Sequence, residues 1–314
     1  MINLTSGHIC CGAGGDIVGA KAIGVKPVWA FDKNASAIAS ILSNHNDVRA
    51  FVADVRQISE NIEHLDRVDM LFCGIPCQPY TRIGRLLGEN DERAISQYVA
   101  RVILSIKPRF LLFENVREYK NSVGFKILNT ELSTEGYQIT WKVLNLADYG
   151  LPQKRVRLFG LGISDCNYAL QFPEPTHTKE RSLFDQRKSW IKFNTIKDGA
   201  GMKPLSVIAL RGVLRRFGKH SKKGNGFSVQ IIDKNDIMMT VIGTMYRGSG
   251  SSSNSILIWD NGIIRNVSFL EARRAQDFKD SYIFCGTDKE KWQQVCNAWP
   301  PTLVTQLIRS LLKK

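Results

Sequence analysis

Over the first 163 positions, short apolar runs alternate with helix-like stretches. HICC (8–11) leads into the glycine-rich GAGGDIVGAKAIG, and PVWAFD (27–32) leads into NASAIASILSNH. FVADV (51–55) and VDMLFCG (68–74) are further runs, the second followed by the loop PCQPYTRIGR. AISQYVARVILSIK (94–107) reads as a helix that stops at Pro108, which cannot continue it. RFLLFEN (109–115) and RVRLFGLGI (155–163) read as buried strands. Strand and helix in alternation predict an α/β fold, with a parallel sheet covered by helices on both faces.

The pattern changes after Ile163. QFPEPTHTKE (171–180) carries two prolines among polar residues, as a linker does. From Gly199 to Ile232 there is no acid, while Lys203, Arg211, Arg215, Arg216, Lys219, Lys222 and Lys223 fall inside. TMYRGSGSSSNS (244–255) is a Gly/Ser loop between two strand-like runs, IMMTVI (237–242) and SILIW (255–259). Residues 166–264 therefore read as a smaller, irregular, basic domain after a larger one over 1–165. Helical character returns in FLEARRAQDF (269–278) and PTLVTQLIRSLLKK (301–314), dividing the remainder into 265–290 and 291–314. No internal repeat is visible.

The chain has 314 residues, 43% of them hydrophobic, enough for one large domain or two smaller ones. No run of 18 apolar residues occurs, so no membrane span is expected. The start, MINLTSGHIC, does not read as a signal peptide. The seven cysteines are scattered, and Cys73 and Cys77 have no second close pair. Free thiols in a reducing cytoplasm are expected, and a metal site is not. The net charge of +14 points to a polyanion, nucleic acid first, although a lysine-rich proteome would give the same balance.

Three stretches carry candidate chemistry. In CGAGGD (11–16) the glycines let the backbone approach a ligand, and the following helix start offers free N–H groups. Asp32 and Asp54 end the next two strands, where carboxylates can meet ribose hydroxyls and an adenine amine. The pattern fits any nucleoside cofactor; a dinucleotide fold or a plain tight turn would look the same. In the second stretch, Pro76 and Pro79 fix the backbone around Cys77, a nucleophile or a small buried thiol. Glu114 ends the apolar run RFLLFEN, where desolvation should raise its pKa and let it donate a proton to a ring nitrogen. Pairing with Arg117 or Lys120 is the plainer reading. In QKRVR, alternation along a strand puts Arg155 and Arg157 on one face, suited to a phosphate or carbonyl oxygen, or to a polar strand edge.

With these motifs in this order, the chain resembles the cytosine-C5 DNA methyltransferases from His8 to about Leu311. The matches are HICCGAGG, Asp32, Asp54, Pro76-Cys77-Gln78, Glu114-Asn115-Val116 and Gln153-x-Arg155-x-Arg157. FLEARRAQDF looks like the family's helix near its recognition domain, and CNAWPP (296–301) like its last cofactor motif. The resemblance implies a Rossmann-like sheet of the S-adenosylmethionine-dependent type with a smaller target-recognition domain. Residues 1–165 would be catalytic, 166–264 would read DNA, 265–290 would be a hinge with the family helix, and 291–314 would return to the catalytic domain.

The resemblance also implies the chemistry. Cys77 would add to C6 of a flipped cytosine, Glu114 would protonate or hydrogen-bond N3, and Arg155 and Arg157 would hold the base. S-adenosylmethionine would be held by Cys10, Gly12, Ala13, Gly14, Gly15, Asp32, Lys33, Asp54, Val55, Gly74, Pro76 and Asn297. Gln78, Thr81, Arg82, Arg93, Asn115, Gln153 and Thr240 would meet the substrate, with Arg211, Arg215 and Arg216 on the basic surface. The segment after Cys77, to about Ala94, resembles the family's mobile loop. Double-stranded DNA is the expected partner and a monomer the expected state; a cognate restriction endonuclease fits this role without being needed for methylation.

Some positions depart from the family pattern. Cys10 stands for a common phenylalanine, His8 for an aspartate, Cys296 for a glycine, and Tyr80-Thr81 for Phe-Ser, while Trp299 is bulkier than usual. They bear mainly on the adenine contact. Three rival readings share parts of the pattern. PCQPYTRIG also resembles the loop of related tRNA methyltransferases, against which stand QKRVR and the basic domain. A catalytically silent DNA-binding regulator would have no chemical need of Cys77 and Glu114, and an oxidoreductase would leave Cys77 and QKRVR unexplained.

Overall fold

The computed structural model describes residues 3–76, 94–164, 170–199, 203–221, 228–247 and 254–313. The first part alternates β1 (Thr5–Ile9), α1 (Gly15–Lys21), β2 (Lys26–Asp32), α2 (Ala35–Asn44), β3 (Arg49–Val52), α3 (Val55–Glu60) and β4 (Met70–Gly74). It continues through α4 (Ser96–Ile106), β5 (Phe110–Asn115), α5 (Val123–Thr134), β6 (Gln138–Asn145), β7 (Gln153–Lys154) and β8 (Val156–Ile163). Seven of these strands form one sheet in the order β3-β2-β1-β4-β5-β8-β6. Pairs from β3 through β5 are parallel, joined by helical crossovers. β8 is antiparallel to both β5 and β6, so the sheet is mostly rather than wholly parallel. The reason is the short return at 146–155: a direct connection reverses the chain, while a parallel neighbour needs a crossover.

β5 shows how the sheet acquires two covered faces. Successive side chains point to opposite sides, so Phe110 and Leu112 enter one core while Leu111 and Phe113 enter the other. The Leu111 side is covered by α4, through Val99, Val102, Ile103 and Ile106, and by Leu128 and Leu132 of α5. α4 ends at Lys107, in the left-handed region with φ 54°, just before Pro108.

The smaller part contains β9 (His177–Thr178), β10 (Lys188–Ser189), α6 (Val207–Ser221), β11 (Ser228–Ile232), β12 (Met238–Met239), β13 (Asn254–Asp260) and β14 (Ile263–Asn266). β11, β13 and β14 form a small sheet. The β13–β14 hairpin turns at Asn261 and Gly262, both at positive φ, as a tight hairpin turn requires. Of the strand-like run 237–242, only Met238–Met239 is strand, and it pairs with β7.

α7 (Phe269–Ala275), α8 (Asp288–Asn297) and α9 (Pro301–Leu311) close the chain. α9 starts on a proline, whose missing N–H costs nothing at a helix start. It covers the second face of the sheet with Leu303, Val304, Leu307, Ile308 and Leu311, each worth about 1.5–3 kcal/mol of burial. It lies close against α1 because position 19 is glycine: a Cβ there would stand 2.6 Å from Val304.

Candidate active site

The site forms where the parallel strands end. Cys10 leaves β1 at φ 52°, and Gly12 and Gly14 follow at φ 52° and 74°, so the chain turns sharply before α1. Gly12 N–H donates to the Asp32 carboxylate (2.9 Å), whose other oxygen accepts from Asn34 N–H (2.9 Å). Burial nevertheless raises the Asp32 pKa, the two N–H groups and Lys33 opposing it. Asp54 caps α3 at Arg56 N–H and pairs with the Arg56 guanidinium (2.8 Å), which holds its carboxyl below the usual range. A Cβ at Gly74 would lie 2.6 Å from the Cys10 carbonyl, so glycine is what lets β4 end against the turn.

The second wall comes from β5 and β8. Gly74 and Glu114 are partners across β4 and β5, which brings the exit toward Cys77 beside the carboxylate although 37 positions separate Cys77 from Glu114 in sequence. The Arg157 guanidinium lies 3.3 Å from the Glu114 carboxylate. Burial raises the Glu114 pKa and outweighs the attraction of Arg157 and Arg155. Arg155, itself buried, donates to the Cys296 carbonyl (2.7 Å) and so ties the site to the end of α8. The expected continuous strand through QKRVR is interrupted at Arg155, between β7 and β8. Both arginines still face the same space.

That space is a single cavity of about 670 Å³. It is lined by Glu114, Arg155 and Arg157 and by Cys10, Gly12, Asp32, Lys33, Asp54, Val55, Gly74, Pro76 and Asn297 among the expected residues. Others take different places. Ala13 is buried with its carbonyl accepting from the Tyr282 hydroxyl, and Gly15 backs onto the Trp299 carbonyl, 1.9 Å from where a Cβ would stand. Gly14 abuts Ile41 and Ile17, so these three positions shape the turn instead of walling the cavity. Asn115 is buried beside the site, its side-chain oxygen accepting from Val116 N–H.

Gln153 is fully buried and fastens three segments. Its amide donates to Gln276 (2.9 Å) and to the Ala275 carbonyl, and its oxygen accepts from Val241 N–H (2.9 Å). Both its amide hydrogens and one acceptor position are thus engaged within the protein, and it does not line the cavity. The Thr240 hydroxyl donates to the Lys154 carbonyl (2.9 Å), and Val241 next to it reaches the cavity wall. Arg211 and Arg215 are exposed on α6, which also carries Arg216. Cys77, Gln78, Thr81, Arg82 and Arg93 lie outside the described residues.

His8 faces away from the cavity. It is fully buried, bonded to Asp16 (2.7 Å) and Ser6 (3.0 Å) and stacked on Phe72. Its departure from the family pattern is thus met inside the fold. The motifs also missed one wall. Thr244, Tyr246 and Arg247, from a tight helical turn at 243–247, and Lys289 and Gln293 of α8 complete the cavity. Gly243 sits against Gln293, which brings the turn onto α8. The only hint in the sequence was the neighbouring Thr240-Val241 pair.

A nucleoside cofactor fits these walls. A Cβ on Gly12 would meet nothing within 4 Å, so glycine keeps cavity space free where a ligand would lie. The half-buried Asp32 at the end of β2 is anchored by two N–H groups and suits ribose hydroxyls. A cavity of this size lies in the ordinary range for such ligands. Sheet, glycine turn and strand-end acid together define an α/β protein with a nucleoside-type pocket, carrying a desolvated glutamate and two arginines.

The profile of the family described as C-5 cytosine-specific DNA methylase matches residues 4–313, and the chain belongs to that family. It is similar to Type II methyltransferase M1.HphI of Haemophilus parahaemolyticus, 27% identical over 99% of this chain and 87% of the relative. It is also similar to Type II methyltransferase M.NgoMIV of Neisseria gonorrhoeae, 26% identical over 99% and 98% of the two chains. Among solved structures, the Entamoeba histolytica methyltransferase EhMeth shares the fold, with a TM-score of 0.76, 21% identity and full coverage of both chains.

Proposed function

We propose that the protein methylates C5 of a cytosine in a specific DNA sequence, through a covalent bond between Cys77 and C6. The observation that carries this reading is the desolvated Glu114 carboxyl, held 3.3 Å from Arg157 at the strand end next to the exit toward Cys77. S-adenosylmethionine, when bound, supplies an electrophilic methyl group. Gly12, Asp32, Asp54, Val55 and Asn297 would hold it along one side of the cavity.

The protein's own groups do the rest. C5 of cytosine is a weak nucleophile until C6 is attacked. The Cys77 thiolate bonds to C6, and the Glu114 carboxyl gives its proton to N3, so negative charge does not build up on the ring. C5 then becomes enamine-like and can be alkylated. Loss of the C5 proton to a base and departure of the Cys77 sulfur restore the aromatic ring. Arg157 and Arg155 orient Glu114 and the base. The Cys10, Cys73 and Cys296 thiols are no rivals for the attack: burial raises all three, Cys296 to about 12, and keeps them protonated. The target must leave its stack to reach such a cavity.

DNA is favoured over transfer RNA by the family described as DNA methylases and by the names of the bacterial relatives. A role in restriction–modification follows the same relatives, with residues 166–264 as the recognition domain. The expected result is 5-methylcytosine at one sequence word in DNA from cells expressing the chain, read by bisulfite sequencing with transfer RNA tested in parallel. Methylation found only in transfer RNA, or no methylation alongside a Cys77→Ala control of equal expression, would overturn the reading.

A further inference from the structure

Two large apolar side chains stand side by side in water: Leu183 is 99% exposed and Phe184 is 94% exposed. They occupy the centre of a turn closed by the Asp185 N–H donating to the Ser182 carbonyl (3.1 Å). The turn is braced from below. The Asp185 carboxylate accepts from the backbone N–H and guanidinium of Arg187 (2.9 and 2.7 Å), and Arg181 Nε donates to the Asp185 carbonyl. A braced turn that holds Leu and Phe outward gains nothing in folding from them. Six bonds within ten residues fix what a loose loop would let collapse.

The stalk is fixed to the active-site end of the sheet. Lys188 N–H donates to the Thr176 carbonyl and Trp190 N–H to the Thr178 carbonyl, joining its two arms. Trp190 Nε1 donates to the Asp148 carboxylate (2.8 Å), and Thr176 N–H to the Asp148 carbonyl (2.9 Å). His177 packs over Gly150, where φ is 86° and a Cβ would come within 2.8 Å of the ring. Residues 146–150 belong to the return between β6 and β8, the same return that ends in Gln153 and Arg155. Lys179, Arg181, Arg187 and Lys188 flank the tip, against Glu180 and Asp185.

We propose that this turn is an apolar wedge that enters duplex DNA at a base step beside the target cytosine. Exposed Leu and Phe match side chains that part stacked bases, and the tip's four cations against two acids, with Lys188 exposed at its base, favour phosphates. A protein partner is the less direct match: Arg181, Phe184 and Arg187 are types found at protein interfaces, but Lys179, Glu180, Ser182, Asp185 and Lys188 are depleted there, and a net positive tip suits a polyanion. The wedge lowers the cost of extruding the target. The inference rests on the DNA-methylating reading above.

The test compares wild type with a Leu183→Ala/Phe184→Ala variant, whose exposed positions leave folding intact. Duplexes carry the sequence word found by bisulfite sequencing, either fully paired or mismatched at the target. On the paired duplex the variant binds roughly tenfold more weakly, as expected for a lost stacking contact. On the mismatched duplex, already unstacked, the loss falls below about threefold. Equal affinities on the paired duplex, as for a protein-docking tip, overturn the wedge; so do equal losses on both. Wild-type protein that leaves DNA unmethylated overturns the parent reading instead, and the same preparation reports it.

Discussion

Glu114 couples stability and the proposed chemistry in one side chain. Its carboxyl is half-buried at the end of β5 and its folded pKa is raised, chiefly by desolvation. A carboxyl of that kind stabilises the fold in its protonated form, fully below the unfolded pKa, and loses that contribution as pH rises through the folded pKa. The proposed chemistry needs the same protonated form. Glu114→Gln keeps the shape and removes the titration. The variant should lose about 10²–10⁴-fold in single-turnover methylation, with cofactor affinity nearly unchanged. Its melting temperature should fall less than that of wild type as pH rises from the ordinary glutamate range through the raised folded pKa. Equal losses in turnover and cofactor binding, or parallel melting curves against pH, would contradict the proton-donor role. The desolvation of Glu114 was legible in the sequence because an acid ending a strand of apolar residues is drawn partly out of water, while its pairing with Arg157 depends on β8 lying beside β5. The tie made by Gln153 was not legible, because sequence shows a polar residue's capacity to bond but not where its partners come from. Those partners are Val241, Ala275 and Gln276, about 90 to 120 positions away.

At the scale of elements, the strands β1, β2, β4, β5 and β8 were visible because apolar residues crowd where a strand is buried on both faces. β6 escaped notice: it lies at the sheet edge, many of its side chains meet water, and its pattern is weak. The reversal of β8 was hidden for a different reason, since direction depends on what connects two strands and not on their composition. The helix α7 shows a third case, where an element is held by charge. Its Ser268 and Glu271 form a reciprocal cap, and the same Glu271 receives both nitrogens of the fully buried Arg265 (2.7 and 2.9 Å). Asp260 takes the remaining face of that guanidinium (3.0 Å). Arg265→Ala would leave Glu271 buried without its counter-charge, and should destabilise the fold by about 3–5 kcal/mol in urea. Ser268→Ala removes only a cap, and should cost about 1 kcal/mol. Comparable losses in the two variants would show that the buried pair carries no special weight.

The whole molecule brings distant segments to one end of a sheet and sets an uneven charge around them. The glycine turn, Glu114, the turn at 243–247 and α8 wall one cavity, so in the proposed reaction cofactor and target base would share a single chamber. The chain carries a net charge of +14, and in the acid-free stretch from Gly199 to Ile232 Arg211 and Arg215 are exposed on α6. Cations on phosphates bind by releasing condensed counterions, so affinity must fall with salt on a double-logarithmic line whose slope counts the contacts. Wild-type affinity for a duplex should therefore drop steeply as salt rises. Replacing Arg211 and Arg215 by alanine should flatten the slope by about 2, equally for cognate and unrelated duplexes, because phosphate contacts carry no sequence information. Titrations of both duplexes at several salt concentrations decide the matter. An unchanged slope would move the phosphate surface elsewhere on the protein, while a loss confined to the cognate duplex would make these arginines readers of bases.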